Sequence, residues 1–345
     1  MQHDHFPRYA PKTRVGRWFD EQEGGATPAK RVPWYQPGWF EETGRWAAEA
    51  LAFVGHRCLG PPVSVTHTAY SAVSRISSTM GELYFKASGP DETYGAGVAR
   101  LLSERAGGRV PEVVAADLTR GWWLSRAVAG EPAASDTPAM EAVLVTLAEL
   151  QIASADWIPD LLAIGCPDFT LDRIASQAPE VAGAEIVMRT LAVEERARLV
   201  AAAGRIDSWC ETAARAGMPA CLQHGDFGAH NALVAADGEV LLDWRGFIGH
   251  PFVDVHLLLQ AVTDLTRRRR TWRAYLSPWS AMAPVDQLLS SAEAVRPVFN
   301  AQYLLQVGLR ALAIEADPGA YEAWARRQVE HNLRWFARQL IAAAA

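Results

Sequence analysis

The sequence predicts an α+β chain in two lobes: an N-terminal antiparallel sheet lobe with one main helix, then a larger, mostly helical C-terminal lobe. Three observations predict it. Between residues 63 and 128, short runs rich in Val, Ser, Tyr and Trp recur with turn residues between them. One helix-like stretch, about 91 to 105, interrupts those runs. After Ala129-Gly130-Glu131-Pro132 the spacing becomes helical almost throughout.

Residues 1–32 are polar, punctuated by Gly and Pro and without period, which predicts a poorly ordered arm. The first lobe is expected over 33–129. It opens on the turn-rich Pro33-Trp34-Tyr35-Gln36-Pro37-Gly38-Trp39, and a helix over Glu41 to His56 follows from the spacing of Trp46, Ala50, Phe53 and Val54. Strands are expected at Val63 to Thr68, Ala72 to Ser77 and Glu82 to Ala87, the last two joined by a turn at Ser78-Thr79-Met80-Gly81. Asp91 is the expected N-cap of the 91–105 helix. Two further strands, Val113 to Ala116 and Gly121 to Val128, complete five. The second lobe spans 130–345, with two short strands flanking Asn231 to Asp243 and turned at Ala236-Asp237-Gly238.

Composition narrows the partners. Half of the 345 residues are hydrophobic, enough for a large core, while 21% are charged with a net charge of −6. That balance favours neither nucleic acid nor an anionic membrane as a partner. No stretch reaches the run of about 18 apolar residues expected of a membrane span. Cys58, Cys166, Cys210 and Cys221 form no Cys-x-x-Cys pair, and no apolar N-terminal run suggests a secretory signal. A cytoplasmic protein with free thiols is the expectation. Oligomeric state leaves no mark in the sequence.

The chemistry concentrates in two segments. Residues 224 to 231 read His-Gly-Asp-Phe-Gly-Ala-His-Asn, and Leu241-Leu242-Asp243-Trp244 follows. A His two residues before an Asp, with an Asn five after it, is the pattern of a phosphotransfer catalytic loop. Asp226 is then the base for an attacking hydroxyl, and Asn231 and Asp243 are ligands for Mg²⁺ against the phosphates. The triplet Asp226-Phe227-Gly228 spells the kinase metal motif in the wrong place, and Asp243-Trp244-Arg245 stands where that motif belongs. Of 33 basic residues only Lys12, Lys30 and Lys86 are lysine. Lys86 sits in the strand-like Glu82-Leu83-Tyr84-Phe85-Lys86-Ala87. A slim ammonium there suits phosphate oxygens better than a planar guanidinium.

On these residues the chain resembles the aminoglycoside phosphotransferase and choline kinase-like family, whose fold is protein-kinase-like. The resemblance covers roughly residues 60 to 310. It is carried by His224-Gly225-Asp226 with Asn231, by Leu241 to Trp244, by Gly249-His250-Pro251-Phe252-Val253-Asp254, and more weakly by Tyr84 to Ala87 and Arg109 to Val113. It implies a transferase that moves the γ-phosphate of ATP, with GTP not separated from it by sequence, to a hydroxyl of a small molecule. Lys86 would contact the α- and β-phosphates. Tyr70 to Ser74, through backbone amides and the Ser71 and Ser74 hydroxyls, would cover them as a loop. Arg126 to Val128 would bond adenine through backbone groups. His224 and Asp254 would be structural.

In one place the chain departs from the family. The helix Glu that pairs with the strand Lys is replaced by Gly95-Ala96-Gly97, with Glu92 and Glu104 as substitutes at a distance. The alternative reading is accordingly a non-catalytic ATP-binding pseudokinase or interaction module. A zinc hydrolase built on His224, Asp226 and His230 does not predict the strand-then-helix order. Arg267 to Arg270 reads as a solvated helix end, and the 13 tryptophans as core. Asp160 to Asp172 and the segment after 255, with Asp264, Glu315 and Asp317, are expected to meet the acceptor, which is either an aminoglycoside-like antibiotic or a metabolite.

Overall fold

The computed structural model describes residues 32–68, 70–133, 138–260, 262–316 and 323–345, with the side chains of 323–325 excepted. Residues 1–31 of the expected N-terminal arm and Asp317 lie outside the described residues, while Val32 is buried in the core. The chain divides into two compact units. One comprises the described residues of Met1–Gly107, Pro111–Val128 and Ile314–Arg327, and the other those of Gly108–Val110, Ala129–Ala313 and Gln328–Ala345.

The first unit is built on a five-stranded antiparallel sheet. Helix α1 (Trp39–Phe53) precedes β1 (Val63–His67), β2 (Ser71–Ser78) and β3 (Gly81–Ser88); α2 (Tyr94–Arg105) precedes β4 (Val113–Asp117) and β5 (Trp122–Arg126). The strand order is β1-β2-β3-β5-β4. Alternation along β3 sorts the two faces. Leu83, Phe85 and Ala87 are buried among Trp34, Trp39, Leu51, Ile76, Trp122 and Leu124, so α1 closes that face. Lys86 points the other way, beside its register partners Val73 and Trp123. The fold class is the one the sequence predicts.

Two local expectations need correction. Helix α2 does not begin at a capping Asp91. Pro90, with φ already fixed, starts a separate 3₁₀ turn at Pro90–Glu92, and α2 follows from Thr93 without a side-chain cap. Tyr70 to Ser74 is not a loop either, because β2 already begins at Ser71. The β1–β2 connection is closed tightly by Thr68, whose N–H donates to the Ser71 carbonyl (2.9 Å) while its Oγ1 accepts the Ser71 N–H (3.1 Å).

The second unit is mainly helical: α3 (Pro138–Ser154), α4 (Ile158–Ile164), α5 (Leu171–Gly183), α6 (Glu185–Met188), α7 (Val193–Ala203), α8 (Ile206–Ala214), α9 (Val253–Leu259), α10 (Leu265–Leu276), α11 (Val285–Ala294), and all but the end of α12 (Arg296–Ala316) and the start of α13 (Ala323–Ala344), which fall in the first unit. More strands thread it than the spacing suggests. Beside β9 (Ala232–Ala235) and β10 (Gly238–Leu241), Glu131–Pro132 adds β6 to form β10-β9-β6. A second small sheet runs β7-β11-β8, from Asp168–Phe169, Phe247–Gly249 and Cys221–Gln223. Strands of two or three residues are too short to show a period of two, and β8 and β11 are buried at every residue, which leaves no alternation to read.

The stretch Pro138–Ile164 is long and apolar enough to cross a membrane by length and composition, and half of its most apolar window is buried inside the protein. Its helix α3 packs against α10, β8 and β10. All four cysteines are free thiols. The arginine run of α10 is tied down structurally. Asp264 caps Arg267 N–H, Arg268 donates to the Leu259 and Val262 carbonyls, and Arg270 pairs with Glu141. Most described tryptophans are buried, whereas Trp335 is exposed.

Three buried histidines set a pH dependence of stability. Burial lowers His67 to about 4, His250 to about 3 and His256 to about 4 from the ordinary 6.5. Once unfolded, each takes up a proton below about 6.5 that the fold refuses, so their contribution is lost as pH falls from 6.5 toward 4. Asp254, raised to about 7 by burial, works in the opposite sense over about pH 4 to 7 and offsets one of the three. A falling urea midpoint between pH 7 and pH 4.5 is expected, with a shallower fall in His256→Gln. An unchanged midpoint over that range would refute the assignment.

Candidate active site

The catalytic-loop motif leaves β8 and turns sharply at Gly225. Its φ of +81° and the ring of Phe247, 2.6 Å from where a Cβ would stand, both require glycine. His224 is fully buried. Its Nε2 donates to the Leu242 carbonyl (2.8 Å) and its Nδ1 accepts the Asp226 N–H (3.3 Å), which fixes the tautomer and occupies both nitrogens. The ring lies against Trp244, with centroids 4.8 Å apart. Two backbone bonds complete the clamp: Arg245 N–H to the His224 carbonyl (2.9 Å) and Leu242 N–H to the Asn231 carbonyl (2.8 Å). Segments 224–231 and 241–245 are thereby held as one piece.

Asp254 braces the loop from below. Its buried carboxylate accepts N–H groups from His224 (2.7 Å), Gly225 (2.9 Å) and the Gln151 side chain (2.8 Å). Burial raises its pKa to about 7, while these three bonds pull it down. Tyr275 donates to Gln151 Oε1, and Tyr303 donates to the Gly225 carbonyl (3.3 Å). Beside them Gln223 and Gln302 bond each other through both amide groups. Gly249, at the end of β11, leaves room for that pair: a Cβ there would stand 2.5 Å from Gln223 Nε2. None of Gln151, Gln223, Gln302 or Tyr303 stands out in the sequence, since each is an isolated polar residue within an apolar helix or strand. Only the Asp254 segment carried a signal.

The side chains with chemistry stand on this platform. Asp226 is half-exposed. Asn231 Nδ2 donates to the Asp226 carbonyl (2.9 Å) and reaches Asp226 Oδ2 at 3.5 Å, which leaves Oδ1 as its ligand atom. His230 Nε2 lies 3.7 Å from Asp226 Oδ2. Asp243 is exposed and, among the described residues, is the only non-glycine with positive φ (+57°). An Asp tolerates that conformation better than most, and such strain persists where surrounding structure enforces it. Two hard oxygen donors joined through the Leu242–Asn231 bond fit Mg²⁺, which needs few protein ligands and keeps its waters. Among the described residues no group of three or more His, Cys, Asp or Glu gathers. With both His224 nitrogens occupied as well, the zinc-hydrolase constellation is not assembled.

The residues expected to bind the nucleotide lie in the sheet unit. Lys86 Nζ stands over the Trp123 ring at 5.4 Å. Ser71 opens β2 opposite Ser88, and Ser74 is buried. Arg126 ends β5, its N–H bonded to the Glu112 carbonyl and its guanidinium paired with Glu112 (2.6 Å). Ala127 N–H bonds the Glu82 carbonyl, so Val128 is the first residue past the sheet's bonding. Glu104 pairs with Arg100 on the exposed side of α2. Gly95, Ala96 and Gly97 are buried, and a Cβ on Gly95 would stand 2.7 Å from Ser88 Oγ. At Gly95 any side chain would therefore press on the Ser88 hydroxyl.

Comparison with known proteins adds the following. The family model described as "Phosphotransferase enzyme family" matches residues 94–285, more than half the chain. No curated protein sequence matches. Among solved structures, a macrolide 2′-phosphotransferase from Brachybacterium faecium superposes with a TM-score of 0.56 at 16% identity, covering 85% of this chain and 98% of that one. A choline/ethanolamine kinase family protein from Mesorhizobium loti gives 0.56 at 16% identity, with coverage of 88% and 99%. An aminoglycoside phosphotransferase, APH(4)-Ia, in ternary complex with ADP and hygromycin B gives 0.50 at 15% identity, with 86% and 98% covered. At these identities the likeness establishes a shared fold.

Proposed function

The chain belongs to the phosphotransferase enzyme family, and from that membership we propose that it transfers the γ-phosphate of ATP to a hydroxyl group of a small molecule, with Mg²⁺ as the metal. The observation that carries the reading is the clamp of His224, Leu242, Arg245 and Asn231. It holds a half-exposed carboxylate, an amide oxygen and a second exposed carboxylate on one rigid piece. Phosphoryl transfer makes little covalent demand on the protein, so positioning and charge account for most of the rate.

In this mechanism Asp226 orients the acceptor hydroxyl and takes its proton as the phosphoryl group arrives. Asn231 and Asp243 would hold Mg²⁺, which when bound would supply charge neutralisation on the phosphates. Lys86 contacts the α- and β-phosphates from β3. The start of β2 at Ser71 covers them, and the backbone at Val128, the first residue past the sheet's bonding, receives the adenine. An APH-type relative crystallised with ADP supports the choice of an adenine nucleotide. With four free thiols, we place the enzyme in the cytoplasm, with the 33–129 lobe for the nucleotide and the 130–345 lobe for catalysis and acceptor.

The test is ATP turnover over a panel of alcohols, with phosphorylated product identified by mass. Transfer is expected to stop on chelation and to resume with Mg²⁺. Lys86→Ala is expected to raise KM for ATP by about tenfold or more. A protein that binds ATP yet phosphorylates none of the panel would turn the reading toward a nucleotide-binding module.

A further inference from the structure

The face of α12 that meets the catalytic loop carries a polar stripe. Tyr303 donates to the Gly225 carbonyl. Gln306 and Arg310 follow on the same face, one and two turns along, by the 3.6-residue period. The Gln306 amide nitrogen is enclosed and has no hydrogen-bond partner among the described residues. On the loop side, the Arg245 Cβ lies 3.1 Å from the position of a Gly225 Cβ, and its guanidinium rests over the Phe247 ring at 5.2 Å. Arg245 and Asp226 both act electrostatically on the Tyr303 hydroxyl, so the three are neighbours.

The charged groups here are the guanidinium groups of Arg245 on the loop and Arg310 on α12, and Gln306 adds an amide on the same helix face as Arg310. Each guanidinium offers five N–H bonds, so a contact within the protein does not exhaust it. Asp226 and Asp243 are assigned to the base and the metal, and three further acids of this unit are held within the protein. Asp264 caps α10, Asp168 is bound to Arg173 and to Thr170 N–H, and Asp254 is spent on the loop amides. A ligand complementary to this surface presents oxygens and negative charge.

We propose that the acceptor is a hydroxyl compound bearing an oxyanion, carboxylate or phosphate, recognised by Arg245, Gln306 and Arg310, and that polycationic alcohols are excluded. The assignment rests on the phosphotransferase reading for its hydroxyl, but its anion preference is measurable without turnover.

The experiment is calorimetric binding to the wild-type protein without nucleotide, using glycerate, gluconate and glucose 6-phosphate against glycerol, glucose, choline and kanamycin. Anionic members are expected to bind about tenfold or more tightly than their neutral counterparts, and comparison of gluconate with glucose 6-phosphate identifies which oxyanion is preferred. Arg310→Gln is expected to remove most of the preference, Arg310→Lys to retain part of it, and Gln306→Leu to weaken anionic and neutral members alike. Equal binding of neutral members, tighter binding of kanamycin or choline, or a preference that survives Arg245→Gln and Arg310→Gln would overturn the proposal. If the preference is found but ATP and Mg²⁺ then yield no phosphorylated product, the anion site stands and the transfer reading fails.

Discussion

Asp226→Asn is expected to remove phosphoryl transfer while leaving the fold intact. The carboxylate is half-exposed and braces no buried group; its backbone, not its side chain, takes part in the loop's principal bonds. Asparagine keeps the shape and the contact with Asn231 but cannot accept a proton. A positioned base typically contributes about 10²- to 10⁴-fold, so kcat should fall by that factor with KM for ATP little changed. Exposed substitutions of this kind usually move stability by no more than about 0.5 kcal/mol, and the urea midpoint should stay near wild type. Steady-state kinetics beside a denaturation curve separate the two effects. A variant that retains wild-type kcat would end the assignment of Asp226 as base.

Asp254→Ala should act in the opposite way, through the scaffold. The change strips an acceptor from the N–H groups of His224, Gly225 and Gln151, all buried. A buried donor left unpaired costs about 1–3 kcal/mol, and three sharing one site put the loss on the order of 3–6 kcal/mol, less whatever the loop recovers by relaxing. Asp254→Asn keeps one acceptor oxygen and should fall between. Because the lost bonds orient the loop, kcat should drop in both variants in step with stability, whereas Asp226→Asn loses kcat alone. Urea unfolding with kcat measured on the folded fraction checks this. Wild-type stability in Asp254→Ala would show that the carboxylate is not what holds the loop.

Much of the candidate site was legible because its chemistry is local. The types and spacing of His224, Asp226, Asn231 and Asp243 are fixed within one short stretch, and the hairpin of β2 and β3 announced itself by alternation. The loop expected at Tyr70 to Ser74 overlapped the strand expected from Ala72, and pairing of Ser71 to Ser74 with Ser88 to Phe85 decides for strand from Ser71 onward. The cap at Asp91 failed because Pro90 starts a turn first. The three-residue strands of the helical unit carried no period.

The sequence by itself determined the two-lobed α+β class, the spacing of the residues proposed for the phosphotransfer loop, and a lone strand lysine in a chain whose basic residues are almost all arginine. Tertiary structure alone decided what holds them. Gln151 reaches Asp254 across 103 residues, Asp254 reaches the loop across 30, and Tyr303 reaches Gly225 across 78. It also decided the left-handed turn at Asp243 and the donor-lined stripe on α12. The division has a physical cause: reactive groups are specified by identity and close spacing, while orientation in a buried site depends on hydrogen-bond partners that only packing brings within reach.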